Sequence, residues 1–147
     1  MFIIKNKYFL IIENIKDFNL KNIKKRNKFF IIYRNKNKID KLSDLTSFRK
    51  QCKSKGIKFY IANDIKLAIL LNTDGIYLSA FNKDLKFLNY KKNKFEIIGS
   101  AHTFKEITAK IKQGCTSILF SKLFLVDYDK KSLFLGVIKV NSFSKIS

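Results

Sequence analysis

Short apolar segments alternate with amphipathic segments along the chain. Six apolar runs, rich in Ile, Phe and Tyr, lie at 7–12, 28–33, 57–62, 75–79, 95–99 and 117–121. Continuous apolar runs of this length are typical of strands that are buried on both faces, as in parallel sheets covered by helices. The pattern therefore predicts six parallel strands.

The segment 44–55 has the periodicity of a surface helix. Leu45, Phe48 and Cys52 recur at spacings of three and four, which places them on one face. The same spacing leaves Arg49, Lys50 and Lys53 to face water. A helix is therefore expected between the second and third strands, with an apolar face against the sheet.

A second helix is predicted over 103–112, with Phe104, Ile107 and Ile111 on its apolar face. The preceding Thr103 and Glu106 have the spacing of a capping box, which satisfies the first free amides of a helix. Helix ends are predicted from residues that tolerate the left-handed backbone conformation, namely Gly56, Asn72 and Gly114.

These elements together predict an α/β fold of about six parallel strands with five to six helices. The 147 residues are expected to form a single domain. The segment 81–94 is interpreted as a short helix or a loop. The tail from 130 suits a helix or a further strand, and the helix is preferred.

The formal net charge of +20 raises the question of a nucleic-acid partner. Only three of the 31 basic residues are arginines, and the lysines occur in every predicted helix and loop beside abundant Ile, Asn and Phe. This spread is typical of an A- and T-rich genome, so we expect no nucleic-acid partner. No apolar run reaches the eighteen or so residues of a membrane helix, so no membrane segment is predicted.

Cys52 and Cys115 are too far apart in sequence for a zinc knuckle or a disulfide framework. Both are interpreted as reduced, buried residues, which predicts a cytoplasmic protein.

Polar residues follow the predicted strands, where parallel α/β folds place their chemistry. They are Arg34 and Lys36, Asn63 and Asp64, Ser79 and Asn82, Ser100 with His102 and Thr103, and Ser121 with Lys122. Because parallel strands end at one edge, Arg34, Asp64 and Ser100 are expected at a common rim.

The residue types in this set suit a phosphorylated ligand held with a divalent metal. Arg34 and Lys36 offer positive charge to phosphate oxygens. Asp64 suits Mg²⁺, although Asn63 or Asp64 could instead cap the next helix. Ser100 and Thr103, at the start of a capped helix, would add two hydroxyls beside free backbone amides.

Two other polar residues have two interpretations each. The single histidine, His102, could act as an acid or base, or form one backbone hydrogen bond at the helix entry. Asp74, directly before Gly75, is expected to be a turn residue rather than a ligand.

Three ordered segments resemble the thiamine phosphate synthase and TenI family. The segment 57–79 has that family's Asn-Asp pair at a strand end, followed by a helix and an Asp-Gly strand. The segment 97–124 resembles the family's next unit, with its Gly-x-Ser-x-His start, and 31–36 resembles a strand ending in Gln-x-Arg-x-Lys.

The resemblance implies a (β/α)₈ barrel that joins hydroxymethylpyrimidine pyrophosphate to thiazole phosphate with the help of Mg²⁺. Arg34 and Lys36 would bind the pyrophosphate, Asn63 the substrate and Ser100 the pyrimidine. Asp64 would hold Mg²⁺, with Asn82 aligned to the second metal carboxylate. The family pattern also has Gln, Arg and His where this chain has Ile32, Ile65 and Tyr77.

Because such a barrel takes about 200 residues or more, the chain is expected to be an incomplete TIM-type barrel that lacks the last two strands. A homo-oligomer or a partner that completes the barrel is then an expectation. Three functions stay open: a synthase with reduced or no activity, a TenI-like thiazole tautomerase that uses His102, and a non-catalytic module that binds a phosphorylated ligand.

Overall fold

The computed structural model describes residues 2–4, 7–23, 28–36, 40–93, 95–126 and 130–140. Over these ranges it contains eight strands and three α-helices. The chain divides into two compact units, Met1–Ile76 and Tyr77–Ser147, and the boundary falls within the fifth strand.

The first unit is a small sheet with helices that follow its strands. Its strands are β1 (Phe2–Ile4), β2 (Lys7–Ile12), β3 (Phe29–Tyr33), β4 (Lys58–Ala62) and the start of β5 (Gly75–Leu78), and its helices are α1 (Leu42–Ser54) and α2 (Ile65–Leu70). β2 pairs with β3 and β3 with β4, both parallel, while β1 adds to β2 as an antiparallel strand. Short 3₁₀ turns, Ile15–Asp17 and Leu20–Asn22, lie on the connection from β2 to β3.

The second unit continues the alternation and ends in a long hairpin. It contains a 3₁₀ helix (Leu85–Asn93), β6 (Glu96–Ala101), α3 (Phe104–Lys112), β7 (Ser117–Val126) and β8 (Lys130–Lys139). β6 and β7 are parallel, and β7 and β8 are antiparallel. The predicted α/β class and the parallel pairing of the central strands are thus confirmed within each unit.

The prediction of a helix in the tail is wrong. Residues 130–139 form β8, which pairs with β7 along its whole length from Ser117↔Lys139 to Val126↔Lys130. The reason is a tertiary partner: β7 continues past the predicted strand end at 121 and offers a full ladder of backbone groups to the apolar tail. Ser121 and Lys122 therefore lie within β7 instead of following it.

Aromatic rings fill much of the core of the first unit. Phe9 stacks on Phe30 with ring centroids 4.9 Å apart, and Phe48 of α1 meets Phe59 of β4 edge-on at 5.5 Å. Leu45, Phe48 and Cys52 are buried, as the periodicity of α1 predicts. This buried face fixes α1 against the sheet.

The prediction that Arg49 faces water is wrong. Its side chain is buried and reaches the turn before β5, where Nη1 lies 3.3 Å from Asp74 Oδ2 and Nε donates to the carbonyl of Asn72 at 3.1 Å. Asp74 Oδ2 also accepts from the amide of Phe59 at 2.8 Å. Periodicity misses this contact because it depends on a carboxylate that is distant in sequence.

In the second unit a lysine takes the buried position expected for an apolar residue. Lys110 is fully buried, whereas Phe104 is 68% exposed, so the predicted apolar face of α3 is partly wrong. The stem of Lys110 crosses Gly99, where an added Cβ would lie 2.5 Å from Lys110 Cδ and 2.7 Å from Cys115 Sγ. Gly99 therefore provides the space that the lysine occupies.

Several local predictions are confirmed. Gly56, Gly114 and Asn72 have positive φ at the helix ends. Cys52 and Cys115 are buried and are not linked in a disulfide. Across the described ranges, the helices are all too short or too polar to cross a membrane.

Candidate functional site

Two of the predicted basic residues lie at the carboxyl edge of β3. Arg34 directly follows the strand, is half-buried, and its amide donates to the carbonyl of Ile12 at 2.8 Å, which continues the pairing with β2. Lys36 is exposed two residues further on. The backbone of Arg34 is thus held by the sheet, while both side chains belong to the loop beyond it.

The Asn63 and Asp64 pair lies at the same edge, one strand away. β3 and β4 are parallel and in register at Tyr33↔Ile61, so the residues that follow both strands emerge side by side. Asn63 has a φ of 62°, in the left-handed region that few residues other than glycine adopt. The structure therefore brings Arg34, Lys36, Asn63 and Asp64 to one edge of the first unit.

Asp64 is the N-cap of α2, so the capping interpretation is confirmed. Its Oδ1 accepts from the amide of Leu67 at 3.0 Å, and the side chain is exposed. A carboxylate has about four lone-pair positions, so one capping bond leaves it able to accept further donors or a cation. Capping and ligand binding are compatible at this residue.

Tyr33 and Asp40 organise the loop that carries Arg34 and Lys36, and the sequence analysis missed both. The buried Tyr33 hydroxyl donates to Asp40 Oδ2 at 2.9 Å and accepts from Asn35 Nδ2 at 3.1 Å. Burial is the main cause that raises the pKa of Tyr33 above its ordinary value of 10.0. The sequence signal for this contact is a tyrosine at the end of a strand, seven residues before an aspartate.

In the second unit, Ser100 and His102 lie near the carboxyl edge of β6. Ser100 is half-buried and paired opposite Leu119 of β7. The exposed His102 directs Nδ1 to the Ser121 hydroxyl at 2.9 Å and to the Ser121 carbonyl at 3.3 Å. The expected backbone contact of His102 is therefore present, together with a side-chain contact that the sequence did not indicate.

Thr103 caps α3 as predicted. Its Oγ1 accepts from the amide of Glu106 at 3.1 Å, and the hydroxyl lies 3.2 Å from Glu106 Oε1. The hydroxyl thus already serves the helix, so it offers less to a phosphate than its position suggests.

Asn82 has a structural role in the loop after β5. Its Oδ1 accepts from the amide of Asp84 at 3.1 Å and from Gln113 Nε2 at 3.4 Å. Lys110 Nζ donates to the carbonyl of Asn82 at 2.5 Å and to Gln113 Oε1 at 2.8 Å. Because the bonds from Asp84 and Gln113 already use Oδ1, Asn82 is a poorer candidate for a metal ligand than the family resemblance suggests.

Carboxylates are sparse around the predicted metal position. Within the residues that the structure describes, no group of three or more His, Cys, Asp or Glu side chains could hold a metal ion. Mg²⁺ nevertheless needs only one or two protein carboxylates when a substrate phosphate supplies other oxygens. Asp64 meets that requirement with one carboxylate.

Comparison with known proteins gives consistent results. Residues 4–145 match the family model described as thiamine monophosphate synthase. The thiamine-phosphate synthase of Prochlorococcus marinus subsp. pastoris is 27% identical over 107 residues, which is 72% of this chain and 30% of that protein.

A structural match shows the fold. Thiamine phosphate pyrophosphorylase from Pyrococcus furiosus superposes with a TM-score of 0.57 at 15% identity, over 85% of this chain and 64% of that chain. The predicted class, an α/β fold of the incomplete TIM-type barrel, is thereby confirmed. Because the family model matches residues 4–145, the chain belongs to the thiamine monophosphate synthase family.

Proposed function

We propose that the chain acts in thiamine biosynthesis as a thiamine phosphate synthase-like protein, which joins hydroxymethylpyrimidine pyrophosphate to thiazole phosphate. Family membership supports this function. The observation that carries it is the meeting of Arg34, Lys36, Asn63 and Asp64 at the ends of two neighbouring parallel strands. These are the four positions of the first unit that the family resemblance assigns to substrate, pyrophosphate and metal.

In the proposed reaction, pyrophosphate leaves the pyrimidine and the thiazole nitrogen attacks the resulting carbocation. The protein's contribution is to position the two substrates and to stabilise the negative charge that develops on the leaving group. Arg34 supplies a planar guanidinium to the pyrophosphate oxygens and Lys36 a point charge. Mg²⁺, when held by Asp64, would supply further charge neutralisation.

The second unit contributes separately to the proposal. Ser100, a half-buried residue, is assigned to the pyrimidine substrate, as the family resemblance implies. Thr103 is not assigned a direct contact with the substrate, because its hydroxyl caps α3.

A second candidate function is the tautomerisation of a thiazole phosphate, with His102 as the acid or base. The contact of His102 Nδ1 with the Ser121 hydroxyl at 2.9 Å favours it, because this contact orients the ring and leaves Nε2 for proton transfer. This candidate predicts that turnover disappears in His102→Ala. Unchanged turnover in that variant would exclude it.

The deciding experiment incubates the purified chain with hydroxymethylpyrimidine pyrophosphate and thiazole phosphate, with and without Mg²⁺, and follows thiamine phosphate by chromatography. Product formation that depends on Mg²⁺ is expected. Calorimetric titration with pyrophosphate runs in parallel. Binding without product would favour the non-catalytic binding module, and absence of both would contradict the proposed function.

A further inference from the structure

The Tyr33 hydroxyl bonds to described residues on both sides of 37–39, in the connection from β3 to α1. It donates to Asp40 Oδ2 at 2.9 Å and accepts from Asn35 Nδ2 at 3.1 Å and from the amide of Asp40 at 3.2 Å. One buried phenol therefore ties together the two ends of the loop, at Asn35 and at Asp40.

Asp40 extends this connection to a further segment. The Oδ2 atom that accepts from Tyr33 also accepts from the amide of Ile15 at 3.2 Å. Ile15 belongs to the connection that follows β2, so the loop is held from the strand beneath it and from the neighbouring segment. The backbone of Arg34 is fixed on a third side by its bond to the carbonyl of Ile12.

Asn35 stands between the two basic residues of the proposed pyrophosphate site. Fixing its side chain on Tyr33 restricts the backbone that carries both Arg34 and Lys36. Such restriction matters for anion binding, because ordering a loop and its long side chains at the moment of binding costs free energy that a preordered loop does not lose.

We infer that Tyr33, together with Asp40, is a positioning residue that preorders Arg34 and Lys36 for a pyrophosphate group. The inference rests on the proposed function for the identity of the anion, whereas the order of the loop can be measured without any ligand. Tyr33 acts here through its neighbours and is not itself assigned a contact with the substrate.

The test is Tyr33→Phe, which keeps the ring and its packing against Phe59, with centroids 6.5 Å apart, while it removes the hydroxyl. The matched control is Tyr8→Phe on the neighbouring strand β2, where the ring stacks on Phe29 at 4.8 Å. Amide hydrogen exchange should become faster at 34–36 and 40–41 in Tyr33→Phe and stay unchanged in Tyr8→Phe. Unchanged exchange at those residues in Tyr33→Phe would overturn the inference.

A double-mutant cycle separates positioning from general structure. In calorimetry with pyrophosphate, Tyr33→Phe should weaken affinity about three- to tenfold, the size expected from one net hydrogen bond. The loss should be clearly smaller in an Arg34→Ala background, because Tyr33 would then have only Lys36 left to position. An equal loss in both backgrounds would overturn the positioning role.

The same cycle distinguishes a failure of this inference from a failure of the proposed function. Equal pyrophosphate affinity in the unmodified chain and in Arg34→Ala would contradict the proposed function. The exchange measurement would still decide whether Tyr33 orders the loop.

Discussion

Arg34 is half-buried as a residue, and its backbone amide is held by the carbonyl of Ile12 in β2. Arg34→Ala should weaken pyrophosphate binding by roughly 1.5 to 3 kcal/mol, as expected for a charge-assisted contact. Calorimetry measures the change. Lys50→Ala, which removes an equal charge from the exposed face of α1, is the control for the general effect of net charge. Equal losses in the two variants would show that binding is non-specific.

The capping role of Asp64 and its proposed metal-binding role can be separated by two substitutions. Asp64→Asn keeps a good N-cap acceptor for the amide of Leu67 but removes the carboxylate charge. The free energy of unfolding should therefore change little, while Mg²⁺ should no longer increase pyrophosphate affinity. Asp64→Ala should lose both, with about 1 kcal/mol of stability from the missing cap. Undiminished dependence on Mg²⁺ in Asp64→Asn would exclude the metal role.

At the scale of elements, Arg49 joins α1 to the turn before β5. Arg49→Met keeps the length of the buried stem but leaves Asp74 without its cation and the Asn72 carbonyl without its donor. The free energy of unfolding should fall by about 2–3 kcal/mol, since a partly buried partner loses its counter-charge. Urea denaturation measures this, with the exposed Lys50→Met as control. Similar values for both variants would show that the ion pair contributes nothing specific.

Lys110 plays the corresponding part in the second unit, where α3 holds the loop after β5. Its ammonium donates to the carbonyls of Ala80 and Asn82 and to Gln113 Oε1, and burial lowers its pKa. Lys110→Met should speed amide exchange at 80–84 and lower the free energy of unfolding by about 1–3 kcal/mol. Lys112→Met, at an exposed position of the same helix, should change neither quantity. Unchanged exchange in Lys110→Met would refute this role.

For the whole molecule, buried acidic groups predict a loss of stability at alkaline pH. Burial raises the pKa of the Cys52 thiol from 9.0 to about 12. Between these values the native state keeps a proton that the unfolded chain releases, so stability falls as the pH rises from 9 towards 12. The slope due to Cys52 should approach about 1.4 kcal/mol per pH unit.

Urea denaturation of the unmodified chain and of Cys52→Ala between pH 8 and about pH 11 tests this. The variant loses packing at every pH, but its stability should decline less steeply above pH 9. Tyr33, whose pKa is also raised, adds a decline of the same sign above pH 10, and Tyr33→Phe should reduce that part. Parallel curves for the unmodified chain and Cys52→Ala would contradict the role of the thiol.

The parts of the fold that were predictable depend on local patterns. Thr103 and Gly114 could be placed because capping and positive φ follow from a few adjacent residues. Arg49 and Lys110 could not be placed, because their burial depends on backbone acceptors 23 to 30 residues away. The strand β8 could not be predicted for a different reason: the apolar run of β7 indicates a strand that ends at 121, which is too short to pair with the whole tail.

The candidate site divides in the same way. Arg34, Asn63 and Asp64 were predictable, because residues after parallel strands share an edge. The family resemblance at Asn82 does not indicate that its side-chain oxygen bonds within its own loop. The role of Tyr33 was not predictable, because a tyrosine at a strand end also suits an ordinary core position.

The close approach of Gly99 to Lys110 constrains how this part of the family can diverge. A methyl group at residue 99 and a lysine stem at residue 110 would occupy the same volume. Positions 99, 110 and 115 should therefore covary among relatives, so that a residue larger than glycine at 99 accompanies smaller side chains at 110 and 115. Such relatives would need another donor for the carbonyls of Ala80 and Asn82, and that donor would identify how they close the same loop.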